Sequence, residues 1–187
     1  MEKIINKLKQ IPRWYGIAIV LLYSFLLAEF YSTFNRFLPI DNSMGNLFSI
    51  ISKISYSVTI LSGVIVWIII TFLFHLTALL FNGKSSFSQI LFVSSYPYII
   101  PAIVIIIGIF ILDGIQIQNA EDVIVVLMEN QSFKLSMNLI NYSFIPYYVT
   151  VAILIHDIYQ INYLYAILSV TIPIVAIWLI GELFKLI

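Results

Sequence analysis

The chain has 187 residues, 61% of them hydrophobic and 10% charged, with a formal net charge of zero and a mean hydropathy of +1.05. A soluble domain is about 45–50% apolar and about 25% charged, so in water this chain would carry apolar surface it could not hide. With no cysteine, disulfides, thiolate metal sites and cysteine nucleophiles are excluded, and the zero balance gives no field for nucleic acid.

The apolar residues come in blocks near the roughly 20 residues that a helix needs to cross a hydrocarbon core about 30 Å thick. Backbone groups in lipid must be paired within their own segment, so each block is expected to be a helix. The fold class is therefore all-α, a polytopic membrane helix bundle with about five transmembrane helices in one domain. A basic segment with Lys3, Lys7, Lys9 and Arg13 comes first. The apolar run behind it is too long for a signal peptide, and no small-x-small site precedes Glu29, so it is read as uncleaved.

The first span is expected over 14–34, interrupted by Glu29. The stretch Pro39–Ser55 places Asp41 as an N-cap before Leu47, Phe48, Ile51 and Ile54 at helical spacing. It either extends the second helix or lies along the outer interface. The second span covers 56–81 and carries His75, and the third covers 90–112 without a charge. Pro97 and Pro101, one turn apart, are expected to bend the third helix; packing geometry accounts for them, and a gating hinge is the alternative. The apolar stretch Glu121–Met128 is too short to span and is expected as a short outer helix or hairpin. The fourth span, 144–161, starts near Pro146 and contains His156 and Asp157. A tight turn near Gln160–Asn162 makes it the antiparallel neighbour of the fifth, 163–184, which ends at Glu182. Trp14, Tyr15, Tyr147, Tyr148, Tyr163 and Tyr165 sit at span ends, as an aromatic belt requires.

Four of the nine Lys and Arg residues precede Trp14, which puts the N-terminus in the cytoplasm. The loop with Lys84 then falls inside. The loop with Asp113, Glu121, Asp122 and Glu129 falls outside, as does the C-terminus. Asn130-Gln131-Ser132 and Asn141-Tyr142-Ser143 match the glycosylation tripeptide on that outer side, a pattern that matters only in a secretory eukaryotic setting.

Ionisable residues inside spans are costly and default to functional candidates. At about 1.5 Å per residue, His75, His156 and Asp157 share an inner layer with Tyr96, Ser94 and Ser95, whereas Glu29 stands alone in the outer half. Two imidazoles and a carboxylate suit a divalent cation or a proton relay. Adjacent residues on a helix point about 100° apart, however, so His156 and Asp157 are not expected to face one ion. The simpler expectation is packing: Asp157 reaches the headgroups, and His75 hydrogen-bonds Tyr96 across helices. Motifs of soluble enzymes are missing: there is no G-x-S-x-G, no phosphate-cradling glycine loop and no H-E-x-x-H.

One stretch carries a resemblance. His75 to Gln89, with the turn Asn82-Gly83-Lys84-Ser85-Ser86-Phe87-Ser88-Gln89, and then Tyr96-Pro97-Tyr98-Ile99-Ile100-Pro101, resembles the Yip1 family of integral membrane proteins. The turn is sensible by itself: Gly83 can end the second helix in a left-handed cap, Ser85, Ser86 or Ser88 can cap the third, and Lys84 marks the cytoplasmic side. The resemblance singles out Gly83, Lys84, Ser86, Phe87, Tyr96 and Pro101 as the family-motif positions. It implies the five-span fold and, from eukaryotic relatives of the Golgi and endoplasmic reticulum, roles in membrane traffic. The Ile-, Asn- and Lys-biased vocabulary fits a low-GC bacterium, hence the plasma membrane, with Golgi or endoplasmic reticulum the eukaryotic alternative.

The leading expectation is a non-enzymatic protein without cofactor or metal. It works in the lipid bilayer through other membrane proteins, or copies of itself in a homo-oligomer, as scaffold, trafficking or assembly factor, or accessory subunit. The alternative is a small transporter or channel-like protein using Glu29 or the His75, His156 and Asp157 layer. An intramembrane enzyme acting on lipid through the same groups is a third reading.

Overall fold

A computed structural model of the chain describes residues 12–37, 45–116 and 123–185. The described residues form α1 (Arg13–Asn35), α2 (Gly45–Leu80), α3 (Phe87–Val93), a 3-10 turn (Tyr96–Tyr98), α4 (Ile99–Asp113), α5 (Val123–Glu129), α6 (Gln131–Tyr159) and α7 (Tyr163–Phe184), and no strand. Among the described residues five segments are long and apolar enough to cross a bilayer: Arg13–Asn35, Ile50–Leu80, Phe87–Asp113, Gln131–Tyr159 and Tyr163–Phe184.

Several boundaries depart from the sequence expectation. The stretch before the second span joins α2 from Gly45 onward, while Asp41 and its expected cap lie outside the described residues. Helix α6 begins at Gln131, well before 144, so Pro146 sits inside the helix rather than at its start. Lys134, Asn138 and Asn141 dilute the apolar signal of those first turns. Asn130 starts the helix, its Oδ1 accepting from the Phe133 amide at 3.1 Å. Neither glycosylation tripeptide is therefore a free loop: Asn130 is a cap, and Asn141 lies within α6.

The third span is interrupted rather than merely bent. Pro97 offers no amide hydrogen, and the helix breaks between Val93 and Ile99. The serines before it repair the break. Ser94 Oγ donates to Leu91 O at 3.1 Å, and Ser95 Oγ donates to Phe92 O. Pro101 falls in the first turn of α4, where a missing amide costs nothing.

By internal packing the chain divides into two units. The first comprises residues 12–19, 65–98 and 145–185. Its core holds Phe74, Ile90, Tyr147, Ile155 and Tyr159, all essentially buried. Trp67 Nε1 donates to Ser94 Oγ at 3.2 Å, and Thr71 Oγ1 lies 3.0 Å from the same oxygen. Thr77 Oγ1 donates to Ser169 O of α7 at 2.7 Å, and the rings of Phe81 and Tyr165 stack at 4.9 Å.

The second unit comprises the described residues of 20–64 and 99–144. Small residues set its helix approaches, as in membrane bundles generally. A Cβ on Gly63 would lie 2.4 Å from Ser24 Oγ, and Ser136 Oγ donates to the Gly108 carbonyl at 3.1 Å. Phe34 and Phe133 add an aromatic contact at 5.7 Å.

Candidate functional site

The α2–α3 connection builds the site's floor. Helix α2 ends when Asn82 takes the left-handed conformation, φ 62°, and the Gly83 amide returns to Ala78 O at 3.0 Å. The left-handed residue is thus Asn82 and not the expected Gly83, because a short polar side chain tolerates that region. Gly83 serves a different need. A Cβ there would lie 2.6 Å from Tyr159 Cδ1 and 2.8 Å from Ala78 O, so only glycine lets the turn close on α6. The next amide, Lys84 N, donates to Tyr159 O at 3.3 Å, joining the turn to the end of α6.

The remaining turn residues fit around this contact. Ser86 is the N-cap of α3 by backbone shape, φ −89° and ψ 149°, without a side-chain cap bond. Ser85 Oγ instead donates to Gln89 Oε1 at 3.1 Å. Phe87 opens α3 with its ring 5.6 Å from His75 and 5.6 Å from Phe72.

His75 Nδ1 is hydrogen-bonded to Tyr159 OH at 2.5 Å. The expected partner was Tyr96, which lies half-buried in the 3-10 turn; the break at Pro97 takes it off the regular helix on which depth was counted. Tyr159 is the residue that sequence reasoning missed. It closes the fourth span beside a turn, where a tyrosine reads as one more belt aromatic; its place three residues after His156 was the available signal.

His156 Nδ1 bonds to Ile161 O, and since a carbonyl only accepts, this nitrogen carries the proton. The ring stacks on Tyr163 with centroids 3.7 Å apart. Its Nε2 lies 3.7 Å from Asp157 Oδ1, a charge pair when the imidazole is protonated but too long for a hydrogen bond. Asp157 was expected to point away from His156 and reach the headgroups. It is instead largely buried beside the imidazole, and its Oδ2 has no hydrogen-bond partner.

The expected layer thus resolves into two pairs, His75 with Tyr159 and His156 with Asp157. Among the described residues no three His, Asp or Glu side chains come together as a metal site. The bonds on His75 and His156 Nδ1 hold helix to helix and helix to turn.

In the second unit Glu29 does not stand alone. Tyr56 OH donates to its Oε2 at 3.3 Å, and Arg36 Nη2 lies 3.8 Å from Oε1. Arg36 Nη1 also reaches Asp113 Oδ1 at 3.3 Å, so one guanidinium ties the ends of α1 and α4. Pro101, the last of the positions singled out by the resemblance, is buried in α4 of this unit. No protein-family model, curated protein or solved structure matches the chain.

Proposed function

We propose that this chain is a five-span integral membrane protein of the Yip1 type with its N-terminus in the cytoplasm. In this reading it works without catalysis as a scaffold, trafficking or assembly factor, or accessory subunit in a plasma membrane. The observation that carries it is the use made of the intramembrane polar groups. His75 is held by Tyr159, His156 by the Ile161 carbonyl, and Glu29 by Tyr56 and Arg36. Groups spent on packing are poor carriers of ions or protons. The membrane setting is supported by the exposed faces: Leu61, Phe110 and Trp178 stand 62%, 73% and 61% exposed, which lipid tolerates and water does not. The Yip1 type rests on the sequence resemblance of the turn Asn82 to Gln89 and of Tyr96 to Pro101.

The test combines partner capture with replacement. Gentle detergent extraction should recover the protein with other membrane proteins. The phenotype of its deletion should still be rescued by His75→Ala, His156→Ala and Glu29→Ala variants introduced one at a time. Loss of the phenotype's rescue by any of the three in a stably inserted variant refutes the non-catalytic reading. Orientation is tested through single cysteines, since the chain has none. Ser88→Cys should resist an impermeant maleimide applied from outside, and Ser132→Cys should react. The transporter reading is favoured by one observation, the unpartnered Asp157 Oδ2.

A further inference from the structure

Within the first unit, the facing sides of α6 and α7 leave an open groove of about 370 Å³. Tyr163 lies at the end nearest the α6–α7 turn, Ile145 and Ile174 at the other, and Ala152 and Val170 form the floor. From Tyr163 to Ile174 the groove runs about 16 Å at 1.5 Å per residue. That is about half of a hydrocarbon core some 30 Å thick, the depth of one leaflet. It begins at the α6–α7 turn, where the chain re-enters the membrane in the proposed topology.

The cross-section decides what fits. A volume of about 370 Å³ spread over about 16 Å makes a slot narrower than a helix with its side chains. A helix with side chains is about 10–12 Å in diameter and cannot enter. A polymethylene chain, whose carbons contact neighbours at about 3.5–4 Å, can. The Thr171 hydroxyl on the groove asks nothing of an occupant, since its Oγ1 already donates to Ile167 O at 2.9 Å. Pro146 and Pro173 lie beside the far end, each removing an internal hydrogen bond of its helix and letting the two axes part there.

We propose that this groove is a binding site for one acyl chain of a bilayer phospholipid, with its carbonyl end at Tyr163 and its terminal methyl at Ile145 and Ile174. It rests on the membrane-spanning reading and adds a resident lipid to it. The carbonyl end enters beside the stacked rings of Tyr163 and His156, an amphipathic rim suited to the boundary between tails and headgroups. A chain held there completes the α6–α7 surface, which would otherwise lose packing contacts along its floor.

The test uses the full chain in phosphatidylcholine vesicles doped with phospholipids bearing a diazirine at the chain terminus or next to the carbonyl. Labelled positions are mapped by peptide mass spectrometry. The terminal probe should label Ile145 and Ile174 about tenfold above Leu61 on α2, the ratio that about 1.4 kcal/mol of preference gives. The carbonyl-end probe should move the label to Tyr163. Ala152→Phe fills the floor and Thr171→Trp fills the groove from its exposed rim; each should erase the excess while leaving Leu61 labelling unchanged. Equal labelling of the groove and Leu61, or an excess that survives both variants, overturns the site while the membrane reading stands. Labelling at neither place refutes insertion itself.

Discussion

Adding one methyl group at Gly83 should unfasten the α2–α3 turn. The Cβ of Gly83→Ala would lie 2.6 Å from Tyr159 Cδ1, 3.0 Å from Tyr159 Cβ and 2.8 Å from Ala78 O. The tyrosine ring is anchored through its hydroxyl to His75, and the carbonyl belongs to the last turn of α2, so neither yields cheaply. Overpacking of this kind costs about 1–3 kcal/mol. Relief by moving the turn sacrifices the Gly83 N to Ala78 O and Lys84 N to Tyr159 O bonds, worth about 1 kcal/mol each. The expected loss is about 2–4 kcal/mol, read by denaturant titration of the detergent-solubilised protein. Two controls separate crowding from backbone conformation. Gly181 in α7 has nothing within 4 Å of a built Cβ, so Gly181→Ala should stabilise by up to about 1 kcal/mol through helix propensity. Asn82 is the residue at positive φ, so Asn82→Gly should leave stability within about 1 kcal/mol. A Gly83→Ala protein as stable as the parent would refute the close approach of this turn to Tyr159.

The bond between His75 and Tyr159 should appear in a double-mutant cycle of His75→Ala and Tyr159→Phe as a coupling of about 0.6–1.7 kcal/mol; additive effects would rule it out. Asn130→Ala should cost α6 about 1 kcal/mol by loss of its cap, and expression through a eukaryotic secretory pathway should leave Asn141, inside α6, without a glycan mass. Glu29→Gln keeps an acceptor for Tyr56 and weakens only a half-exposed pair with Arg36, so its cost should stay below about 1 kcal/mol and shrink in high salt.

The long helices were legible because a bilayer crossing would impose a length and a composition, and five helices among the described residues meet both. The start of α6 was not, since Lys134, Asn138 and Asn141 read as loop until the cap at Asn130 is seen. Pro97 announced a disturbance of the third span, but its form depended on Ser94 and Ser95 turning their hydroxyls back on Leu91 and Phe92. That break is also why depth counted along a regular helix assigned His75 the wrong partner. The turn was legible as a turn; that its glycine answers to Tyr159 required the contact itself. Polar residue types were visible throughout, whereas their pairing depends on helix rotation, which an almost uniformly apolar sequence does not encode by periodicity.

Asp157 is where packing and function make opposite demands, and a single replacement separates them. Three effects oppose an aspartate at this position. Its Oδ2 is buried without a partner, which costs about 1–3 kcal/mol. It lies in the last turn of α6, where a carboxylate meets the negative end of the helix dipole. Aspartate is also a poorer helix former than alanine by about 0.7 kcal/mol or less. Against these stands, among the described residues, the pair with His156 at 3.7 Å, which needs a protonated imidazole. Asp157→Ala should therefore raise unfolding stability by about 1–2 kcal/mol after the lost contacts are deducted. A fall of that size instead would mean the second oxygen has a partner in the bilayer or in a bound protein. Function then reads the same variant independently. A scaffold should keep its partners and its rescue of the deletion when the aspartate goes. A protein that moves protons or ions through the His156–Asp157 pair should become more stable and inactive together, because an unsatisfied carboxylate tolerated at such cost is what a transport site requires.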